Sequence, residues 1–311
     1  MNVQQFQYIL AVAQHKHFET AAESCFISQS TLSTMISKFE DKIGIKIFDR
    51  KRKPVQITKE GALIIEQLKA ISREIEQLEE LSKEIKGEIK GSLSFSVIPT
   101  IAPYLLPLFL QGFANKFPTL SIEVKELTTA EIIRNIKSRE LDIGLVSIPV
   151  NDPEIEEIKL YDEPFVFYDA SAPRPDQVNA AQLDVESLCL LEEGHCMRTQ
   201  IIQLCDLHKK NLKNKLNFDY KAGSIDSLLR FVKANKATTL LPYLASIDLP
   251  IEENYHLSHF AKPIPFRTIG LVVHRHYVKK KVLESLKNEI LEKVKDVLPI
   301  KNLEGEMLMP L

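Results

Sequence analysis

The chain has 311 residues, 44% hydrophobic and 26% charged, with a formal net charge of −2. That balance excludes a collagen-like or disordered chain and leaves room for two folded domains. The near-neutral total hides a division: residues 1–60 hold nine Lys/Arg against six Asp/Glu, and the remainder holds 31 against 36.

Residues 3–14 are expected to form a helix around Phe6, Ile9, Leu10 and Val12. A second helix is expected over Phe18–Ser24, where Ala21 and Ala22 suit close packing. A turn through Cys25, Phe26 and Ile27 leads to Ser28, a good N-cap. The third helix then runs from Gln29 to about Ile43, with Leu32, Ile36, Phe39 and Ile43 on one core-facing stripe. Its opposite face carries Gln29, Ser30, Ser33, Thr34, Ser37 and Lys38, short groups able to reach base edges and phosphates. Gly44 stops the helix. Ile45–Phe48 and Val55–Thr58 read as short strands flanking a basic tip. Within residues 46–59, Lys46, Arg50, Lys51, Arg52, Lys53 and Lys59 are opposed only by Asp49. Such a strip suits contact with phosphates, and it also suits a solvated loop.

The run FETAAESCFISQSTLS from Phe18 to Ser33 is joined by Lys38, Glu40, Gly44, Phe48, Asp49, Arg50 and Thr58-Lys59-Glu60-Gly61. Together they resemble the LysR-type transcriptional regulators, with Ser30 standing where members usually carry Pro. The resemblance implies a winged helix-turn-helix that binds double-stranded DNA. Its contacts would come from Gln29, Ser30, Ser33, Thr34 and Lys38, and from Arg50, Lys51, Arg52 and Lys53 of the wing.

A long polar helix is expected over residues 59–86. Ile64, Leu68, Ile71, Ile75 and Leu78 follow the period of a two-helix seam, continued by Leu81, Ser82 and Ile85. This is the pattern of a dimerisation helix; packing against the chain's own second domain is the alternative. Gly87 and Gly91 then mark a change of pattern. Leu93–Ile98, Ser121–Leu127 and Leu141–Val146 read as strands between helices over Pro103–Lys116 and Thr128–Arg139, an alternation that argues for a parallel sheet. Strands at Pro164–Ala170, Leu188–Leu191, Leu216–Lys221 and Thr238–Leu241, with a helix near Ser224–Ala234, form a second set. Thr268–His274 returns to the first, followed by a helix near Lys279–Val297. The expected fold is therefore an N-terminal all-α winged helix-turn-helix (1–58) and a linking dimerisation helix (59–90), followed by a C-terminal α/β sensor (91–311). LysR-type sensors are periplasmic-binding-protein-like and two-lobed. Lobe I is placed at about 91–163 and 268–300, and lobe II at about 164–267.

Four cysteines, Cys25, Cys189, Cys196 and Cys205, are too few and scattered for a disulfide framework. No stretch is apolar over the roughly 18 residues a membrane span needs, and Met1–Phe18 lacks a secretory pattern. A cytoplasmic chain without membrane contact is expected. Cys25 and Cys189 read as small buried residues. Cys196 falls at an expected helix start, next to His195 and near Arg198, features that favour a reactive thiolate. Nine residues of helix rise roughly 13.5 Å, whereas a disulfide needs Cα atoms within about 7 Å, so Cys196 and Cys205 can bond only if the segment is rebuilt. Burial as inert small hydrophobes is the other reading of both.

Gly194-His195-Cys196-Met197-Arg198 with Cys205, Ile98–Pro107, Asp162-Glu163-Pro164, Leu240-Leu241-Pro242 and Arg267–Val272 are similar to the peroxide-sensing activators of the LysR family. That resemblance makes Cys196 peroxidatic and Cys205 resolving, with hydrogen peroxide as the signal. Thr100, Thr129, His195 and Arg267 would surround the peroxide. It also implies a dimer through residues 59–86, pairing into a tetramer, with RNA polymerase contact to follow. Thr199 and Asp206 depart from the residues common at their positions. A LysR-type regulator answering to a metabolite, and a thiol peroxidase, are the rival functions. No phosphate loop, Ser/His/Asp signature or zinc spacing stands out, so no catalytic residue, metal or cofactor is expected.

Overall fold

The computed structural model describes every residue except 87–88, 174, 181–182, 184–186, 206–219, 300–304 and 311. Gly87, Asp206 and residues 216–219 of the expected strand lie outside the described residues. The chain divides into two compact units, Met1–Lys86 and Gly87–Leu311.

In the first unit, α1 (Val3–His15), α2 (Phe18–Ser24) and α3 (Gln29–Ile43) precede a two-stranded wing of β1 (Phe48–Asp49) and β2 (Gln56–Ile57). The Ser28 hydroxyl accepts from Thr31 N–H at the start of α3, and Gly44 closes it at φ +71°, where a Cβ is disfavoured. Ile9, Val12, Leu32, Ile36 and Phe39 form the core with Ile47 and Phe48. The wing strands are shorter than expected. Ile47 lies below the ladder, and its amide, with that of Phe48, donates instead to the buried Glu40 carboxylate at 2.8 and 3.2 Å.

α4 (Lys59–Ile85) begins on a Thr58 cap. Its apolar stripe is divided in use. Leu68 is buried in the unit's own core and Ile64 packs against it, whereas Ile71, Leu78, Leu81 and Ile85 are exposed. The N-terminal half of the stripe therefore holds α4 to its own unit, and the C-terminal half is left for another surface.

The second unit opens with β3 (Gly91–Val97), α5 (Ala102–Lys116), β4 (Leu120–Glu126), α6 (Thr129–Lys137), β5 (Ile143–Ile148) and β6 (Ile155–Asp169). It continues with β7 (Gln177–Val178), α7 (Cys196–Leu204), α8 (Ile225–Asn235), β8 (Thr238–Pro242), α9 (Tyr243–Ile247) and β9 (Leu257–Phe260). β10 (Ile264–His274), α10 (Lys280–Val294) and β11 (Gly305–Met307) complete it. Two hydrophobic cores make the two lobes: one built on β3, β5, α5, α6 and α10, the other on β8, α7, α8 and the end of β6.

The sheet is mixed, not parallel throughout. β3 pairs parallel with β4 and β5, while β10 runs antiparallel to both β5 and β6. The expected strands at Pro164–Ala170 and Thr268–His274 are parts of longer ones. β6 pairs with β10 over Ile155–Pro164 and then with β8 over Phe165–Asp169, so one strand serves both lobes. A strand leaving a lobe lies beside the strand returning to it, which forces the antiparallel pair. The expected strand at Leu188–Leu191 is reduced to single bridges at Leu188 and Leu191.

Glu40→Ala removes the acceptor of two buried amides, each costing about 1–3 kcal/mol when unsatisfied. A calorimetric scan of the full chain should show the N-terminal unit melting earlier, destabilised by roughly 2–6 kcal/mol; an unchanged melt would mean water replaces the carboxylate freely.

Candidate thiol site and DNA-reading face

The site in the second unit is built on Arg267, a residue of β10 that is only 1% exposed. Its Nε donates to Glu163 Oε2 at 2.9 Å, and Nη2 lies 2.8 Å from the same oxygen. Its Nη1 donates to Thr100 Oγ1 at 2.9 Å and its Nη2 to the Thr100 carbonyl at 3.2 Å. Glu163 is wholly buried and also accepts from Leu244 N–H, the second residue of α9, at 2.9 Å. A buried ion pair is tolerated only when further hydrogen bonds satisfy both partners, and here they do. Thr100 is thus a partner of Arg267, not a helix cap; α5 has Ile101 at its N-cap and no side-chain cap.

α7 brings Cys196 to this pair. Gly194, at φ +98°, makes the turn into the helix in a conformation that favours glycine. Cys196 is the first helical residue and packs into the core of the first lobe, whereas Cys205, just past the other end of α7, is buried in the core of the second. Burial raises the pKa of the Cys196 thiol; opposing it are the Arg267 charge, the Thr129 hydroxyl and the amides of Met197 and Cys196. Burial wins. This corrects the expectation of a favoured thiolate, and the reason is geometric. The Arg198 Nη1 donates to the Leu191 carbonyl at 2.9 Å. His195 has its pKa lowered by burial, with Glu192 pulling the other way from 3.9 Å, so its ring is neutral at pH 7.

Thr129 follows Thr128, whose capping box with Glu131 fixes the start of α6. Its Oγ1 is buried beside the Cys196 sulfur, to which the hydroxyl can donate when the thiol is ionised. Gln200, one turn after Cys196, was missed by sequence reasoning. Its Nε2 donates to Ser147 Oγ at 3.1 Å and to the Leu308 carbonyl at 2.8 Å, and its Oε1 is unpaired. Gln203 Oε1 accepts from Met309 N–H at 3.0 Å. The C-terminal segment thereby ties α7 to β10, against which β11 runs parallel. Gly305 permits that approach, since a Cβ there would lie 2.0 Å from the Ile264 carbonyl oxygen. Cys25 is half-buried; Cys189 is buried, which raises its pKa.

In the first unit, Gln29, Ser30, Thr34 and Lys38 are exposed along one side of α3, as are Lys51, Arg52 and Lys53 on the wing. Ser33 and Arg50 are tied to each other: Arg50 Nη1 donates to Ser33 Oγ at 2.8 Å, its Nη2 to Glu40 Oε2 at 3.3 Å, and its guanidinium stacks 4.9 Å above the Phe18 ring. Arg50 therefore fixes the wing against α3. Arg52 pairs with Asp49 and Gln56. Glu40, the hub of this network, pairs with residues up to ten positions away, so nothing local marks it.

The LysR substrate binding domain profile matches residues 86–295, and that of the bacterial regulatory helix-turn-helix protein, lysR family, matches residues 3–62. The chain belongs to the LysR family. Among LysR-family relatives, the Escherichia coli DNA-binding transcriptional dual regulator OxyR is 33% identical over 275 residues, 88% of this chain and 89% of that one. A hydrogen peroxide-inducible genes activator of Haemophilus influenzae is 29% identical over 302 residues, 96% and 99% of the two chains. In structure, a cysteine-to-aspartate variant of full-length OxyR from Pseudomonas aeruginosa has a TM-score of 0.71 at 27% identity, covering 94% of this chain and 98% of that one. A Corynebacterium glutamicum OxyR cysteine-to-serine mutant with hydrogen peroxide bound has a TM-score of 0.63 at 25% identity, covering 95% and 93%. This LysR-family chain is OxyR-like in sequence and fold, and its relatives are transcriptional regulators, not enzymes. Among the described residues no helix is long and apolar enough to cross a membrane, and no group of three or more His, Cys, Asp or Glu could hold a metal ion.

Two outcomes are expected. Arg267→Met leaves Glu163 buried and unpaired, destabilising the second unit by about 3–5 kcal/mol, and Glu163→Gln in the same chain restores much of it; urea unfolding checks both. Because the folded state holds the Cys196 pKa above its usual value, the residue is a thiol at neutral pH. Its alkylation rate should then rise with pH to a midpoint above that of an unfolded-state cysteine, and Thr129→Val should move the midpoint higher. A midpoint below neutrality would contradict the assignment.

Proposed function

We propose that the chain is a peroxide-responsive, DNA-binding transcriptional regulator switched at Cys196. The observation that carries the reading is the placement of the Cys196 thiol beside Arg267 and the Thr129 hydroxyl, with Cys205 at the far end of the same helix.

Cys196 Sγ, losing its proton, attacks one oxygen of hydrogen peroxide. The S–O bond forms as the O–O bond breaks, sulfur is oxidised to sulfenic acid, and the leaving hydroxide takes a proton to become water. Thr100, Thr129 and Arg267 supply donors that stabilise the leaving oxygen, and the neutral His195 ring has a nitrogen free to accept the thiol proton. A thiol that is protonated at rest is slow toward other electrophiles, so selectivity comes from donors placed for a two-oxygen ligand. Cys205 then attacks the sulfenic sulfur; the S–S bond forms, the S–O bond breaks, and a second water leaves.

Closing that bond requires α7 to unwind, since its ends are roughly 13.5 Å apart as a helix. Cys196 must leave the first lobe's core, and the hydrogen bonds from Gln200 to Ser147 and Leu308 and from Met309 to Gln203 must break. The C-terminal segment is then released from α7 as well. The remade second lobe changes how subunits pack. A dimer formed through the exposed half of the α4 stripe, paired into a tetramer, re-sets its grip on double-stranded DNA and its contact with RNA polymerase. Gln29, Ser30, Thr34 and Lys38 face the bases, Ser33 is held by Arg50, and Lys51, Arg52 and Lys53 face phosphates.

One equivalent of hydrogen peroxide should yield a Cys196–Cys205 disulfide in peptide mass maps, absent from Cys196→Ser and Cys205→Ser. The latter should stop at sulfenic acid. If Cys196 stays reduced, a small metabolite between the lobes becomes the signal to seek; if peroxide is consumed repeatedly with a thiol reductant, the chain is acting as a thiol peroxidase.

A further inference from the structure

The turn between α2 and α3 holds a residue suited to it in neither backbone nor exposure. After the C-cap Cys25, Phe26 N–H donates to the Glu23 carbonyl at 3.0 Å and Ile27 N–H to the Ala22 carbonyl at 3.1 Å. This pair of bonds is a Schellman closure, in which the residue after the cap adopts a left-handed conformation and is usually Gly or Asn. Here it is Phe26, at φ +55°. A bulky side chain in that region crowds the following carbonyl. The ring recovers nothing by packing, since Phe26 is 95% exposed while Phe6, Phe18 and Phe39 fill or flank the core. Strain of this kind at an interface points to use there.

Its position says which interface. Phe26 lies three residues before Gln29, the first residue of α3. In helix-turn-helix docking the N-terminal end of the recognition helix meets base edges in the major groove. The hydroxyls at that end are largely engaged with one another: Ser28 Oγ lies 3.0 Å from Ser30 Oγ and 2.8 Å from Thr31 Oγ1, and it caps Thr31 N–H. Beside the exposed Gln29 amide, the Phe26 ring is the large apolar group presented at that end. We infer that Phe26 is a specificity-determining residue that packs its ring on a thymine C5-methyl at the edge of the major groove, an apolar contact such bases offer. The inference rests on α3 being the recognition helix.

The test uses the reduced full-length chain and a duplex that it selects from a random-sequence pool. Phe26→Asn suits the left-handed backbone, so its Tm should rise while its affinity for the selected duplex falls about tenfold. Binding to an unselected duplex and the salt dependence should not change, because no phosphate contact is touched. Phe26→Tyr should bind like the parent chain. Equal affinity of Phe26→Asn and the parent for the selected duplex overturns the inference. So does a loss shared by the unselected duplex. Unchanged binding with lost transcription in a purified system places the ring on a protein partner and overturns it too. If the parent chain enriches no duplex, the reading of α3 falls and takes this inference with it.

Discussion

The buried pair of Glu163 and Arg267 is the constraint on which the sensor unit depends. Two opposite charges held out of water are stable only together, and each is anchored to different elements. Glu163 sits on β6 where that strand passes from one lobe to the other, and it accepts the amide of Leu244 in α9. Arg267 sits on β10 and reaches Thr100 in the turn between β3 and α5. The pair therefore fixes the junction of both lobes before any chemistry is considered. Its electrostatics follow from the same geometry. The Arg267 charge favours the Cys196 thiolate, but burial of the thiol outweighs it.

Helix α7 is the element set against this rigid frame. Its two cysteines belong to different hydrophobic cores, and three side chain–backbone or side chain–side chain bonds from Gln200 and Gln203 hold it to β5 and to the C-terminal segment. In the proposed switch, disulfide formation exchanges those contacts for a covalent bond that the helix cannot accommodate. In that proposal the energy of sulfur oxidation drives the exchange, drawing Cys196 out of the first lobe's core toward Cys205 in the second.

Much of this was legible in the sequence because it is local. Ser28 and Gly44 bounded α3, the helix expected from Thr128 became α6 with Thr128 as its cap, and helical spacing placed Leu32, Ile36 and Phe39 in the core. What was hidden depends on distant partners. Glu163 and Arg267 are 104 positions apart, and Ser147 and Gln200 are 53 apart. β6 and β10 read as shorter strands because each passes from one lobe to the other, and Pro164 at the passage made β6 seem to begin there. Cys196 misled in an instructive way: helix start, His195 and Arg198 all argue locally for a thiolate, but Arg198 binds the Leu191 carbonyl and the thiol is buried. The seam of α4 misled by half, since Ile64 and Leu68 serve their own unit.

Hydrogen–deuterium exchange across residues 196–205 tests the central claim most directly, on full-length protein before and after one equivalent of hydrogen peroxide. The account requires the amides of α7 and of Leu308 and Met309 to be protected when reduced, and to lose protection together after oxidation. Cys205→Ser should keep them protected even after its Cys196 has reacted. Protection that survives disulfide formation, or that is lost in Cys205→Ser as well, would contradict a switch driven by unwinding of α7.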